Sequence, residues 1–184
     1  TSLLEARLIV GDGALFTRLQ KAVTEKCIHG HEDEYIAARL EDQTARRAKA
    51  GNQVAMQQPN IKNGVGGGGD FQNLLWMAQI RYGFGTLEAL ESHDMLSSGE
   101  RGELEVAYDF LLRARTQLHY LAGRTDVLTP NWQPAVAAGL KFEGNPRVRT
   151  QRFMRAYYTH ARNIFLITRT LEQRLALSDI AHPK

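Results

Sequence analysis

One apolar stripe near the C-terminus limits the fold more than any other feature. Phe153, Tyr157, Ala161, Ile164, Thr168, Leu171 and Leu175 recur at intervals of three and four residues. That is the spacing of one helical face, whereas a half-buried strand would alternate every second residue. The stripe holds for about six turns at 3.6 residues per turn. A helix of this length must cover its apolar face with other elements. A second pattern of the same period runs from Glu103 to about Ala122 through Leu104, Ala107, Leu111, Ala114, Leu118 and Leu121, and Gly123 is its natural stop. Two long amphipathic helices joined to shorter ones by tight turns predict an all-α fold, an antiparallel helical bundle packed around these two. With 184 residues, 43% of them hydrophobic, the chain can bury one sizeable core, so a single domain over 1–184 is expected.

The remaining elements follow from local signals. Leu3 to Val10 reads as a strand or a helix end, stopped by Gly11-Asp12-Gly13. Leu15, Leu19, Ala22 and Val23 then keep helical spacing to about Glu25. Cys27 to Glu34 reads as a polar connection, and a charged helix is expected from about Asp33 to Ala50, ended by Gly51. Pro59 forbids a regular helix in Asn52 to Lys62, which predicts a short extended or hairpin segment before the glycines. Asp70 is a suitable N-cap for a helix carrying Phe71, Leu74, Leu75, Ala78 and Tyr82. Short helices are expected at Thr86 to Leu90 and Trp132 to Leu140, and Ser97 to Gly99 as the cap of the second long helix. Residues 14–62 thus form N-terminal helices with an extended segment, and 63–184 the main bundle.

Charge and chemistry narrow the function classes. The net charge of +3 and pI near 9.1 give a mild attraction to phosphates, diluted by 20 acidic residues. The single cysteine, Cys27, excludes an internal disulfide framework and a multi-thiolate zinc site, and fits a reducing cytoplasm. No apolar run approaches the roughly 18 residues of a membrane span, and no signal-type segment opens the chain. The start, Thr1 running straight into "SLLEARLIV", leads us to expect a piece of a longer protein. Cys27, His29 and His31 lack zinc-ligand spacing and read as a solvated loop, so no metal site is assigned. His119, beside an apolar stripe and with no paired nucleophile, reads as a satisfied core histidine. Arg147, Arg149, Arg152, Arg155, Arg162, Arg169 and Arg174 make the last helix basic. Without interleaved exposed aromatics this argues against nucleic acid and for a solvated face or one docked on an acidic neighbour.

The stretch "NIKNGVGGGGDFQN", Asn60 to Asn73, matches G-x-G-x-x-G at Gly64, Gly66 and Gly69. A dinucleotide fold would need a buried strand before it and βαβ units around it, and an ATP P-loop would need a Lys-Ser/Thr pair after it. Neither is present. Glycine N–H groups at a helix start can still bind an anion, while the Asp70 carboxylate would compete for the same donors. A linker and a phosphate-facing loop both remain open at this point.

A wider pattern goes further. "PNIKNGVGGGGDFQNLLWMAQIRYG", Pro59 to Gly83, resembles the bifunctional PII uridylyltransferase/uridylyl-removing enzymes, which carry P-N-I-K, a short gap, G-G-L-R-D and a helix with L-x-W. "LLEARLIVGDGALFTRLQ" is similar to that family's passage out of its nucleotidyltransferase core. "LRARTQLHYLAGR", Leu112 to Arg124, and "RFMRAYYTHARNI", Arg152 to Ile164, resemble its later helices. The blocks fall in family order along nearly the whole chain. The resemblance implies a parent with a nucleotidyltransferase core upstream, a metal-dependent HD phosphohydrolase domain downstream and glutamine-sensing ACT domains. Such a parent transfers UMP from UTP to a tyrosine of the PII signalling protein under nitrogen scarcity, and removes it when glutamine is plentiful. Residues 1–13 are then the exit from an omitted core. The segment carries neither the G-S and D-x-D transferase signature nor an HD signature, so alone it should have neither activity.

On this resemblance PII and the adjacent nucleotidyltransferase and HD domains are the expected partners, and Mg and UTP belong to the parent, with no cofactor in this segment. Lys62 is the candidate cation for the triphosphate, Asn60 a positioning group, and Gly66 and Gly67 the phosphate-facing backbone. Glu5, beside Arg7, lies where the family's acidic-x-Arg-Leu segment leaves the catalytic sheet and is the candidate third metal-directed carboxylate; a surface salt bridge explains the same pair. The safest role for Asp70 is to cap the next helix. Where family members usually have Leu-Arg before that aspartate, this chain has Gly68-Gly69, which removes a guanidinium from the loop. A glutamine synthetase adenylyltransferase-like helical segment, with similar N-I-K and G-G-x-R, is the related alternative. A noncatalytic helical interaction module is the alternative of another class.

Overall fold

The computed structural model describes residues 3–177. Seven α-helices follow in order: α1 (Gly13–Val23), α2 (Glu32–Lys49), α3 (Gly68–Tyr82), α4 (Leu87–Ser92), α5 (Ser98–Ala122), α6 (Gln133–Gly139) and α7 (Pro146–Leu177). A π-helical turn, Thr24–Ile28, prolongs α1 and takes in Cys27, which was expected in a loop. The fold is all-α, as the two stripes require.

The predicted stripes form the core, except that Leu121 at the end of the α5 stripe is exposed. Leu104, Leu111 and Leu118 of α5 meet Phe153, Tyr157, Ile164 and Leu175 of α7, all almost fully buried. Leu74 and Met77 of α3 complete the layer. Helix α5 packs most extensively on α7, with α3 against α7, α2 against α3, and α6 against both long helices. Each large apolar side chain buried in this way contributes about 1.5–3 kcal/mol.

Both long helices begin earlier than their stripes. Ser97 caps α5 through a reciprocal box: its Oγ accepts from the Glu100 N–H at 3.2 Å, and Glu100 Oε2 accepts from the Ser97 N–H at 2.9 Å. The hydrogen bonds from Ser97 hold the Glu100 carboxyl below its ordinary range. At α7, Pro146 opens the helix and Asn145 Oδ1 accepts from the Val148 N–H at 3.0 Å. These first turns face solvent, so their apolar periodicity is weak and only the caps mark them.

Three expectations change. Leu3 to Val10 forms no strand; residues 3–5 make a turn. Of the extended or hairpin alternatives for the segment before the glycines, the hairpin does not form. The segment pairs with the link after α5, through an isolated antiparallel bridge between Asn60 and Val127. The Ile61 N–H donates to the Asp126 carbonyl and the Leu128 N–H to the Pro59 carbonyl, both at 2.9 Å. The two short stretches satisfy each other because neither can form a helix. Finally, Gly67 and not Asp70 is the N-cap of α3. The stop expected at Pro183 lies outside the described residues.

Helix α1 and its π-turn stand apart. They bury no residue, and Leu8, Ile9, Val10, Leu15 and Leu19 are exposed around them.

Candidate functional site

The site is built on the turn between the bridge and α3. Asn60 Oδ1 accepts from the Lys62 and Asn63 N–H groups at 3.1 and 2.7 Å, which bends the chain at once. Ile61 goes into the core and Lys62 is turned out to solvent. The chain then presses against α7. At Gly66, φ is +70° and an added Cβ would lie 1.9 Å from the Ala161 carbonyl oxygen, so only glycine fits.

This packing decides what the glycine backbone can do. The Gly66 N–H donates to Asp70 Oδ2 at 2.9 Å. The Gly67, Gly68 and Gly69 N–H groups donate to the carbonyls of Gly64, Ile61 and Lys62 at 2.9, 3.0 and 2.8 Å. Gly66 and Gly67 are themselves buried. Their N–H groups thus bond to protein oxygens, where the resemblance implied a backbone facing phosphate. Asn60 likewise serves the turn with its side chain and lies outside the cavity described below.

Asp70 is fully buried at the junction of α2, α3 and α7. Arg47 donates to its Oδ2 through Nε at 3.1 Å and Nη2 at 2.9 Å, and Gln43 Nε2 to its Oδ1 at 3.3 Å. Gln43 also donates to Glu172 Oε1 at 2.7 Å. Burial pushes the Glu172 carboxyl up to about 7, against the pull of Gln43 and Arg47. Arg46 extends over Gly69, where an added Cβ would lie 2.3 Å from Nη1. Glycine at 69, in place of the arginine usual in the resembling family, thus makes room for a guanidinium from α2.

Outside this junction a cavity of about 270 Å³ opens, lined by Glu5, Lys62, Gly68, Gly69, Gln72, Trp76, Tyr108, Leu112 and Arg115. Glu5 Oε1 accepts from Trp76 Nε1 at 2.9 Å and from Gln72 Nε2. The Phe71 ring stacks on Tyr108 at 3.9 Å and fixes that wall. Arg115 donates Nε–H to Asp126 Oδ1 at 2.6 Å, leaving its terminal nitrogens without a protein acceptor among the described residues. His119 Nε2 reaches the same oxygen at 2.9 Å. Burial would raise the Asp126 carboxyl, but the Arg115 and His119 hydrogen bonds outweigh it and hold it below its ordinary value. His119 is therefore a partnered histidine that orients Asp126.

Two of the sequence candidates, Glu5 and Lys62, come together in this cavity although 57 positions separate them in the chain. Trp76, Tyr108 and Arg115 were not singled out. Trp76 and Arg115 do fall inside the blocks that carry the family resemblance, which was the available signal. Two cations beside aromatic walls suit an anion that carries a planar ring. They do not suit a Mg²⁺ ion, which takes several oxygen ligands. Among the described residues Glu5 is the only carboxylate lining the cavity, and no group of three or more His, Cys, Asp or Glu could hold a metal. Nor do Cys27, His29 and His31 converge: His29 and His31 face Glu32 and Glu34, at 3.7 and 3.1 Å. No described helix is long and apolar enough to cross a membrane.

Fold and cavity together describe a helical domain with a recess at one edge that Lys62 and Arg115 line. A family model, GlnD PII-uridylyltransferase, matches residues 34–172. The chain is 32% identical over 177 residues to a bifunctional uridylyltransferase/uridylyl-removing enzyme of Phenylobacterium zucineum (strain HLK1), covering 95% of this chain and 19% of that protein. It is 31% identical, with the same coverage, to the enzyme of that name from Caulobacter vibrioides (strain NA1000 / CB15N). No solved structure matches it. The chain belongs to the PII-uridylyltransferase family, and spans about a fifth of the length of these relatives.

Proposed function

We propose that this chain is the helical accessory domain of a uridylyltransferase, and that the cavity of Glu5, Lys62 and Arg115 faces the UTP that the enzyme uses. The observation that carries the reading is the convergence of Lys62 and Arg115 on one aromatic-walled recess. In uridylyl transfer, a tyrosine oxygen of PII bonds to the α-phosphorus of UTP as the bond to pyrophosphate breaks. Such reactions depend on positioning and on neutralising phosphate charge. Lys62 supplies a flexible point charge and Arg115 a fixed fork, held by Asp126. Glu5, whose Oε1 is held by Trp76 and Gln72, leaves Oε2 directed by those bonds. Residues outside this chain, in the adjoining nucleotidyltransferase core, must hold Mg²⁺ and perform the transfer. Nitrogen regulation in the cytoplasm, with PII as acceptor and an HD domain as neighbour, completes the reading.

The test is kinetic. Within the parent enzyme, Lys62→Ala should raise KM for UTP or lower kcat by about tenfold or more, equivalent to at least about 1.4 kcal/mol. Unchanged kinetics with UTP remove Lys62 from the site.

A further inference from the structure

Helix α7 carries a second surface that shares no residue with the cavity. From Pro146 to Leu177 it has seven arginines and one carboxylate, Glu172, and that carboxylate is buried. Arg147, Arg155 and Arg162 are exposed and have no carboxylate within ion-pair distance among the described residues. They edge two adjoining recesses of about 500 and 400 Å³, which share Gln151 and Met154 and run along α7 beside α6. Pro134, Pro146, Met154 and Tyr158 make the floor mainly apolar.

The floor is fixed before anything binds. Tyr158 Oη donates to the Met56 carbonyl at 2.9 Å, and Gln133 Nε2 donates to the Gln57 carbonyl at 2.9 Å. A groove held in this way loses little conformational freedom on binding. The arginines are eight and seven residues apart, or about 12 and 10 Å along the helix axis. Carboxylates two turns apart on a partner helix repeat at nearly the same interval, about 10.5 Å. Arginine also matches a carboxylate fork with two parallel hydrogen bonds.

We propose that this groove docks an acidic amphipathic helix of a partner protein or domain. The partner lays an apolar stripe on Met154 and Tyr158 and aligns acidic side chains with Arg147, Arg155 and Arg162. A nucleic acid would satisfy the arginines but has no apolar stripe for the floor.

The probe is a synthetic helix of about 20 residues with Glu every seventh position beside a leucine stripe. It is titrated against the chain alongside a scrambled peptide of the same composition and a single-stranded DNA of about 20 nucleotides. The patterned peptide should bind at least tenfold more tightly than the scrambled one. The double variant Arg155→Glu/Arg162→Glu should weaken it at least tenfold, while Arg113→Glu/Arg124→Glu, an equal charge change at exposed positions on and just after α5, should leave it within twofold; circular dichroism of each variant checks that the fold is retained. Equal binding of the scrambled peptide, tighter binding of the DNA, no binding of the patterned peptide, or equal losses in the two variants would overturn the proposal.

Discussion

Asp70 and Glu5 lie on opposite sides of the glycine run and are put to opposite uses. Asp70 is fully buried and receives hydrogen bonds from Gln43, Arg47 and the Gly66 backbone. Glu5 is exposed at the rim of a cavity, with donors on one oxygen only. The first is a structural charge, since both of its oxygens meet protein donors in the interior. The second has the geometry of a carboxylate kept accessible. The same glycines separate them: Gly66 brings the turn against α7, and Gly69 admits Arg46 beside Asp70.

The comparison breaks most visibly if Asp70 can be removed cheaply. Asp70→Ala leaves Arg47 without its closest anion and the Gly66 N–H without an acceptor, both in the interior. Breaking a buried pair from one side costs about 3–5 kcal/mol. A chain of this size loses about 2–4 °C per kcal/mol, so a melting point lower by about 10 °C is expected. A drop of less than 2–3 °C, read by thermal unfolding, would mean that the junction does not depend on this charge.

Glu172 sharpens the same contrast with pH. Its carboxyl is raised to about 7 in the fold from an ordinary value of 4.5, first by burial and also by the neighbouring Asp70. Between those values the folded chain holds a proton that the unfolded chain releases. The stability from this group is therefore fully present below about pH 4.5 and is lost as pH rises through 7. Glu172→Gln mimics the protonated form and keeps an oxygen for Gln43. At pH 8 it should exceed the parent chain in stability by about 3 kcal/mol, and near pH 4.5 the two should converge. Urea unfolding of both proteins across this range gives the answer. An unchanged gap at all pH values would place the proton elsewhere.

The parts of this architecture visible in the sequence are those set by local period. The stripes of α5 and α7 are legible because each buried residue repeats every turn, and the Ser97 cap because it directly precedes its helix. The bridge between Asn60 and Val127 was not legible, since no local signal says that two short non-helical stretches will meet. Asp70 read as an N-cap by residue type; its burial depends on Arg47 and Gln43, 23 and 27 residues upstream. At the cavity, Glu5 and Lys62 were found through family resemblance alone. Arg115 escaped notice because one arginine on a long charged helix has no local mark, and only its bond to Asp126 distinguishes it.

The smallest expected effect is the most pointed test. Glu5→Gln keeps a side-chain oxygen to accept from Trp76 and Gln72 and removes only the charge. Because the residue is exposed, its folded stability should change by no more than about 0.5 kcal/mol. The Tyr108 hydroxyl, raised chiefly by burial and further by the Glu5 charge, should titrate lower in the variant, and ultraviolet absorbance of the phenolate can follow it. A stability loss comparable to that of Asp70→Ala would make Glu5 a second structural carboxylate. A neutral change in stability, joined to slower uridylyl transfer in the parent enzyme, would separate the two acids by function as their surroundings already separate them by chemistry.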